Sequence, residues 1–170
     1  MRITLDLNDL ETLSAQCDEA VRELDELNKR LKQAETEVPQ RLADIGRDEA
    51  QLRFDDAASY YDGDNNNTTV SVENVRNKST VVASGDNVTF LEFGAGVYYN
   101  GKGSYPGTRP PGIVGIGEYG KHNGRKNTWW YPTVDGYKPT HGNPASGAMY
   151  FAKLKVEDNA VKVIKDVIKA

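Results

Sequence analysis

Leu10, Leu13, Cys17, Ala20, Leu24, Leu27, Leu31 and Ala34 follow one another at alternating spacings of three and four, and Asp, Glu, Lys and Arg fill the positions between them. Such spacing places one apolar seam along an amphipathic helix. Residues 2–7 alternate in character and read as a strand or lead-in, after which Asn8 or Asp9 can cap the helix by accepting an orphan backbone N–H. The seam is close to a heptad repeat and spans about four heptads, with alanine at two of its positions. A coiled coil is one outcome of this pattern, and packing against the chain's own second helix is the expected one. Cys17, on the stripe, is expected to be a small buried residue.

That second helix is expected to begin at Pro39, whose missing N–H is an orphan in a first helical turn anyway. It would run to about Tyr60, because Leu42, Ile45, Phe54, Ala57, Ala58 and Tyr61 recur at helical spacing. Gly46 weakens its middle by about 1 kcal/mol relative to alanine. The turn formers Asp62, Gly63, Asp64, Asn65, Asn66 and Asn67 end the helical region.

Period two then takes over, in Thr69–Val72–Glu73 and in Thr80–Ala83, with Asn77 and Lys78 as a turn. Gly85, Asp86 and Asn87 make another turn before Val88, Thr89, Phe90, Leu91, Glu92 and Phe93, which read as a third strand of an antiparallel meander. Near the end of the chain, Asn143 as N-cap and Pro144 at the first helical position mark a start. Val156, Ala160, Val161, Ile164, Val167 and Ile168 follow at helical spacing, with lysines opposite and in the last turn, where they complement the helix dipole. The expected whole is one α+β domain: a helical region over 1–62, an antiparallel sheet over 68–94, an extended arm or hairpin over 95–142, and a C-terminal helix over 143–170.

The tract over 95–142 has no regular period and is rich in glycine, proline and aromatics, among them Tyr98, Tyr99, Tyr105, Tyr119, Trp129, Trp130, Tyr131 and Tyr137. Irregular loops longer than about 12–15 residues are uncommon in compact domains and tend to be functional. Aromatics collected in such a tract point to something to bind.

Composition narrows the classes. A net charge of −4 and a pI near 5.3 argue against a protein that coats nucleic acid, which needs clustered Lys and Arg. One cysteine precludes an intrachain disulfide, and no stretch has the length of an apolar membrane span, so a cytoplasmic location and no membrane are expected.

Catalytic and metal chemistry finds little footing. Asp62, Asp64, Asn66, Thr68, Val70 and Glu73 have calcium-loop spacing, but Asn67 stands where the sharp turn needs glycine. His122 and His141 are the only histidines and lie far from Cys17, so no local zinc set forms. His141 with Ser146 or Asp135 lacks a nucleophile elbow, Gly112, Gly115, Gly117 and Gly120 lack a phosphate-loop context, and Glu92 with Glu118 is one carboxylate pair among many. No catalytic residue, metal or cofactor is expected.

Phe90, Glu92, Phe93, Gly94 and Gly96, then Trp129, Trp130 and Tyr131, then Thr140, His141, Gly142, Asn143, Pro144, Ala145, Met149 and Tyr150, taken with the charged helical start and the Val-rich strands, resemble a family of tailed-phage structural proteins. These are the head-tail connector, neck or tail-completion proteins of long-tailed phages and prophages. The resemblance spans essentially the whole chain, and departs from the family in the Gly/Pro-rich stretch over 101–117. It implies a structural virion protein without catalysis: a small α+β subunit that forms a homo-oligomeric ring at the neck. Its partners would be copies of itself, the head-side connector or adaptor, and the tail tube or terminator, with DNA only passing through the lumen.

On that reading Phe90, Glu92, Phe93, Gly94, Gly96, Tyr98, Tyr99, Trp129, Trp130, Tyr131, Met149 and Tyr150 are the candidate subunit or partner interface. Buried aromatics carry much of an interface's energy, which makes Trp129, Trp130 and Tyr131 anchors for a neighbour's pocket. The alternative, that they fold back as a hairpin against their own sheet with Tyr98 and Tyr99, stays open. A different functional class is also compatible with the residues: a module that stacks Tyr and Trp on sugar rings or another surface.

Overall fold

A computed structural model describes residues 10–58, 67–95, 105–111, 128–133 and 135–169. The order of elements is α1 (Leu10–Ala58), β1 (Thr69–Val75), β2 (Lys78–Ser84), α2 (Val88–Phe93), β3 (Trp129–Thr133), β4 (Gly136–Thr140) and α3 (Ala148–Lys169). The architecture is α+β, with long helices at both ends of the chain and small antiparallel sheets between them.

The two helices expected before the sheet are one. α1 runs unbroken for 49 residues with Pro39 inside it, a length of about 73 Å at 1.5 Å per residue. Proline costs an interior helix about 3 kcal/mol through its lost N–H, but strong helix formers flank it and side chains tie the turns on either side together. Arg41 pairs with Glu37, Gln33 donates to Glu37 at 3.0 Å, and Gln40 donates to Asp44 at 3.2 Å. The Arg41–Glu37 pair straddles the proline, and the other two bonds brace the turns before and after it.

Among the described residues, those that pack on α1 cover its second half. Ala43, Gly46, Ala50, Phe54 and Ala57 form its buried face, and α3 lies antiparallel along it: Val156 reaches Gly46, while the Arg53 guanidinium sits 4.0 Å over the Phe151 ring. A Cβ on Gly46 would come within 3.0 Å of Val156 Cγ2 and 3.3 Å of Val81 Cγ2. The glycine that weakens α1 locally is thus where helix and sheet both approach its backbone. The core joins Ala50, Phe54 and Ala57 to Val70, Leu91, Ala148 and Ala152, with Val81, Ala83, Val88 and Met149 packed around them.

β1 and β2 pair from Thr69↔Ser84 to Val75↔Lys78 around a two-residue turn, in which Arg76 takes φ 55. Gln51 anchors this hairpin to α1 by accepting the Val70 N–H at 2.8 Å and donating to Thr68 O at 3.3 Å. The expected third strand is instead the short helix α2. Leu91 N–H reaches Asn87 O, Gly94 N–H reaches Phe90 O, and the adjacent Leu91 and Glu92 are both buried. A strand, which sends neighbours to opposite faces, cannot bury both on one side. Gly94, expected to end a strand, ends this helix at φ 79.

The start of α3 also differs from expectation. Residues 143–147 lie against 91–95 through the Ala95↔Asn143 bridge, Ser146 N–H to Leu91 O and Gly147 N–H to Glu92 O, so the helix begins at Ala148 and Asn143 is not its cap. Cys17 is exposed, contrary to its place on an apolar stripe, because nothing among the described residues covers that part of α1.

Candidate functional site

A helix start needs acceptors for its first free N–H groups. Gly147, the residue before α3, has no side chain to offer and takes φ +58; a Cβ there would meet Pro106 at 3.1 Å and Phe151 at 3.3 Å. Glu92, from α2, supplies the missing acceptor. Its carboxylate accepts the Met149 N–H at 2.9 Å and the Tyr150 N–H at 3.3 Å, and the Tyr105 hydroxyl also bonds to it.

Glu92 is 4% exposed. Burial raises its pKa above the ordinary value and outweighs the donors around it, which act in the opposite sense. Tyr105 is shifted upward too, first by burial and then by the negative charge of Glu92. This carboxylate is therefore a buried helix cap and not a surface contact. Only an acidic residue inside the apolar run from Phe90 to Phe93 hinted at such a role in the sequence.

An aromatic file surrounds the cap. Phe93 and Tyr105 lie 4.7 Å apart between ring centres, Tyr105 and Tyr150 5.9 Å, and Tyr150 and Phe151 5.5 Å, the last two edge to face. Arg109 donates to Phe93 O at 3.3 Å, and Asn143 donates through its side chain to Phe90 O at 2.7 Å and Pro144 O at 3.0 Å. Phe90, Glu92, Phe93, Gly94, Met149 and Tyr150 are thus brought together in one junction, in which Glu92 and Gly94 are buried and the others half-buried.

Trp129, Trp130 and Tyr131 belong to a second place, the β3–β4 hairpin. The register pairs Trp130 with Pro139 and Pro132 with Tyr137, so Trp130, Tyr137 and Pro139 share one face. Trp130 is 62% and Tyr137 72% exposed. Proline is tolerated here because each strand of a two-stranded sheet is an edge. Gly96, Tyr98 and Tyr99 lie outside the described residues, as do Asp62, Asp64, Asn66, Gly112, Gly115, Gly117, Glu118, Gly120 and His122.

The remaining chemistry is dispersed. The Ser146 hydroxyl accepts the Ala148 N–H at 3.3 Å, and His141 Nδ1 lies 3.2 Å from the Thr128 hydroxyl. Among the described residues no group of three or more His, Cys, Asp and Glu could hold a metal ion, and no helix is long and apolar enough to cross a membrane.

The chain matches no family model, no curated protein and no solved structure.

Proposed function

We propose that this chain is a structural subunit of a tailed-phage or prophage particle, a connector or tail-completion protein that forms a ring at the neck between the head-side connector and the tail tube. The observation that carries this reading is the junction itself. The two stretches that most resemble the family, around Phe90–Gly94 and around Asn143–Tyr150, bond to each other across 53 to 58 residues of sequence. Their residue types act together, since a buried acid takes the Met149 and Tyr150 N–H groups at a helix start where Ser146 takes only that of Ala148, and an asparagine bridges the two.

The exposed face of Trp130 and Tyr137 and the uncovered half of α1 suit a subunit whose contacts are completed on assembly. An acidic chain also suits a lumen that lets DNA pass without holding it by counterion release. This reading assigns no catalysis. Its test is removal of the chain from a lysogen: filled heads and finished but separate tails are expected, and normal infectious particles would overturn it.

A second reading is favoured by one observation, the exposed aromatic face of the β3–β4 hairpin, which suits stacking on a sugar ring as well as a protein pocket. It requires saturable glycan binding that Trp130→Ala abolishes. Absence of such binding across a glycan panel removes it.

A further inference from the structure

Every residue from Val21 to Gln33 is exposed, including the apolar Val21, Leu24, Leu27 and Leu31 at 56%, 51%, 38% and 45%. At about 100° per residue, this seam lies roughly a third of a turn around α1 from the face that α3 covers. Among the described residues no helix turns back to meet it, as the sequence led one to expect, and a regular 3,4 repeat of leucines exposed to water marks a surface for a helical partner.

We propose that this half of α1 pairs with the same segment of a second copy, antiparallel, so that the unassembled chain is a two-fold dimer. With the seam written as a heptad, Leu10, Cys17, Leu24, Leu31 and Val38 hold the first apolar position and Leu13, Ala20, Leu27 and Ala34 the second. Parallel pairing sets each residue against itself and stacks three thin layers, Cys17, Ala20 and Ala34. Antiparallel pairing sets Leu24 against Leu27 of the second copy, Ala20 against its Leu31 and Leu13 against its Val38, leaving Cys17 with Ala34 thin and Leu10 opposite the charged Arg41 at the end of the seam.

Charge fixes the register. Glu23 and Arg30 flank the seam on the same side, and in this alignment each faces the other across the pair, giving two equivalent ion pairs. A shift of one heptad in either direction sets Glu23 against Glu23 or Arg30 against Arg30. Parallel pairing also gives two equivalent ion pairs, Arg30 with Glu35 of the other copy, so packing decides direction and charge decides register.

The consequence is regulatory. A two-fold pair has no polar direction, whereas all subunits of a ring face the same way along its axis. The dimer therefore covers the leucines of the free chain and must open before a ring with all its subunits facing one way forms. The pairing itself rests on the seam and holds whether or not the neck reading does.

Sedimentation of the full chain and disulfide trapping test it together. Wild type is expected to sediment as a dimer in the micromolar range, and Leu24→Glu as a monomer with an unchanged circular dichroism spectrum, since Leu24 touches no core. Under mild oxidation Ala34→Cys is expected to form a disulfide-linked dimer through Cys17, while wild type stays unlinked. Within one helix positions 17 and 34 are about 25 Å apart, far beyond the roughly 4.4–6.8 Å between Cα atoms of a disulfide, so the bond must be between copies. A monomeric wild type, a larger oligomer, cross-linking of wild type through Cys17, or no cross-link in Ala34→Cys would each overturn the proposal.

Discussion

The carboxylate of Glu92 accepts the backbone N–H of Met149 at 2.9 Å, across 57 residues of chain, and so performs for α3 what an N-cap side chain performs for most helices. The start of α3 is thus held from α2 as well as by its own Ser146. Glu92→Ala would leave buried N–H groups without an acceptor, at a cost of about 1–3 kcal/mol. Urea unfolding checks this, and an unchanged midpoint would contradict it.

The same carboxylate gives a pH signature. Burial raises its pKa in the folded chain above the ordinary 4.5, so between those two values the folded state binds more protons than the unfolded state and stability falls as pH rises. Measured against Glu92→Gln, which cannot titrate there, wild type should lose stability as pH climbs from 4.5 through the raised value. A difference that is flat, or that grows in favour of wild type, would refute the assignment.

Two neighbours on α1 separate core from surface. Phe54 is fully buried and Leu52 is 59% exposed. Phe54→Ala is expected to cost about 3–5 kcal/mol, and Leu52→Ala to stay within about 0.5 kcal/mol of wild type. Thermal melts of the two variants should differ accordingly.

Gly46 should resist enlargement. Val156 and Val81 converge on it, so Gly46→Leu must push α3 and β2 away and is expected to cost about 1–3 kcal/mol despite leucine's better helix propensity. A variant as stable as wild type would show that the two valines do not close on this position.

Trp130 and Phe93 should act differently. Trp130→Ala removes an exposed ring and should leave the melting temperature unchanged while preventing heads from joining tails. Phe93→Ala removes the ring packed on Tyr105 and should lower stability as well as joining. Melting curves paired with electron microscopy of particles from each variant distinguish the two effects.

Much of the fold is legible in the sequence because long segments carry their period many times over. The seams of α1 and α3 and the alternation of β1 and β2 recur often enough to outvote local exceptions. Pro39 reads as the first turn of a second helix because its missing N–H is an orphan there, whereas one helix runs through it and the Arg41–Glu37 pair spans it. Val88 to Phe93 reads as a strand because six mostly apolar residues fit a strand or a helix equally, and only the need to bury Leu91 and Glu92 together decides between them. Asn143 has the composition of an N-cap but is drawn into the bridge with Ala95. The junction is visible in the sequence as two separate stretches, while their contact, and the role of Glu92 in it, depends on tertiary geometry that no local pattern encodes.

Whether this chain is a neck subunit can be decided by immunogold electron microscopy of particles induced from a lysogen that carries it, using antibody to the chain. Gold is expected at a single point where head meets tail. Intact particles without label, or label along the tail or over the head surface, would contradict the neck assignment.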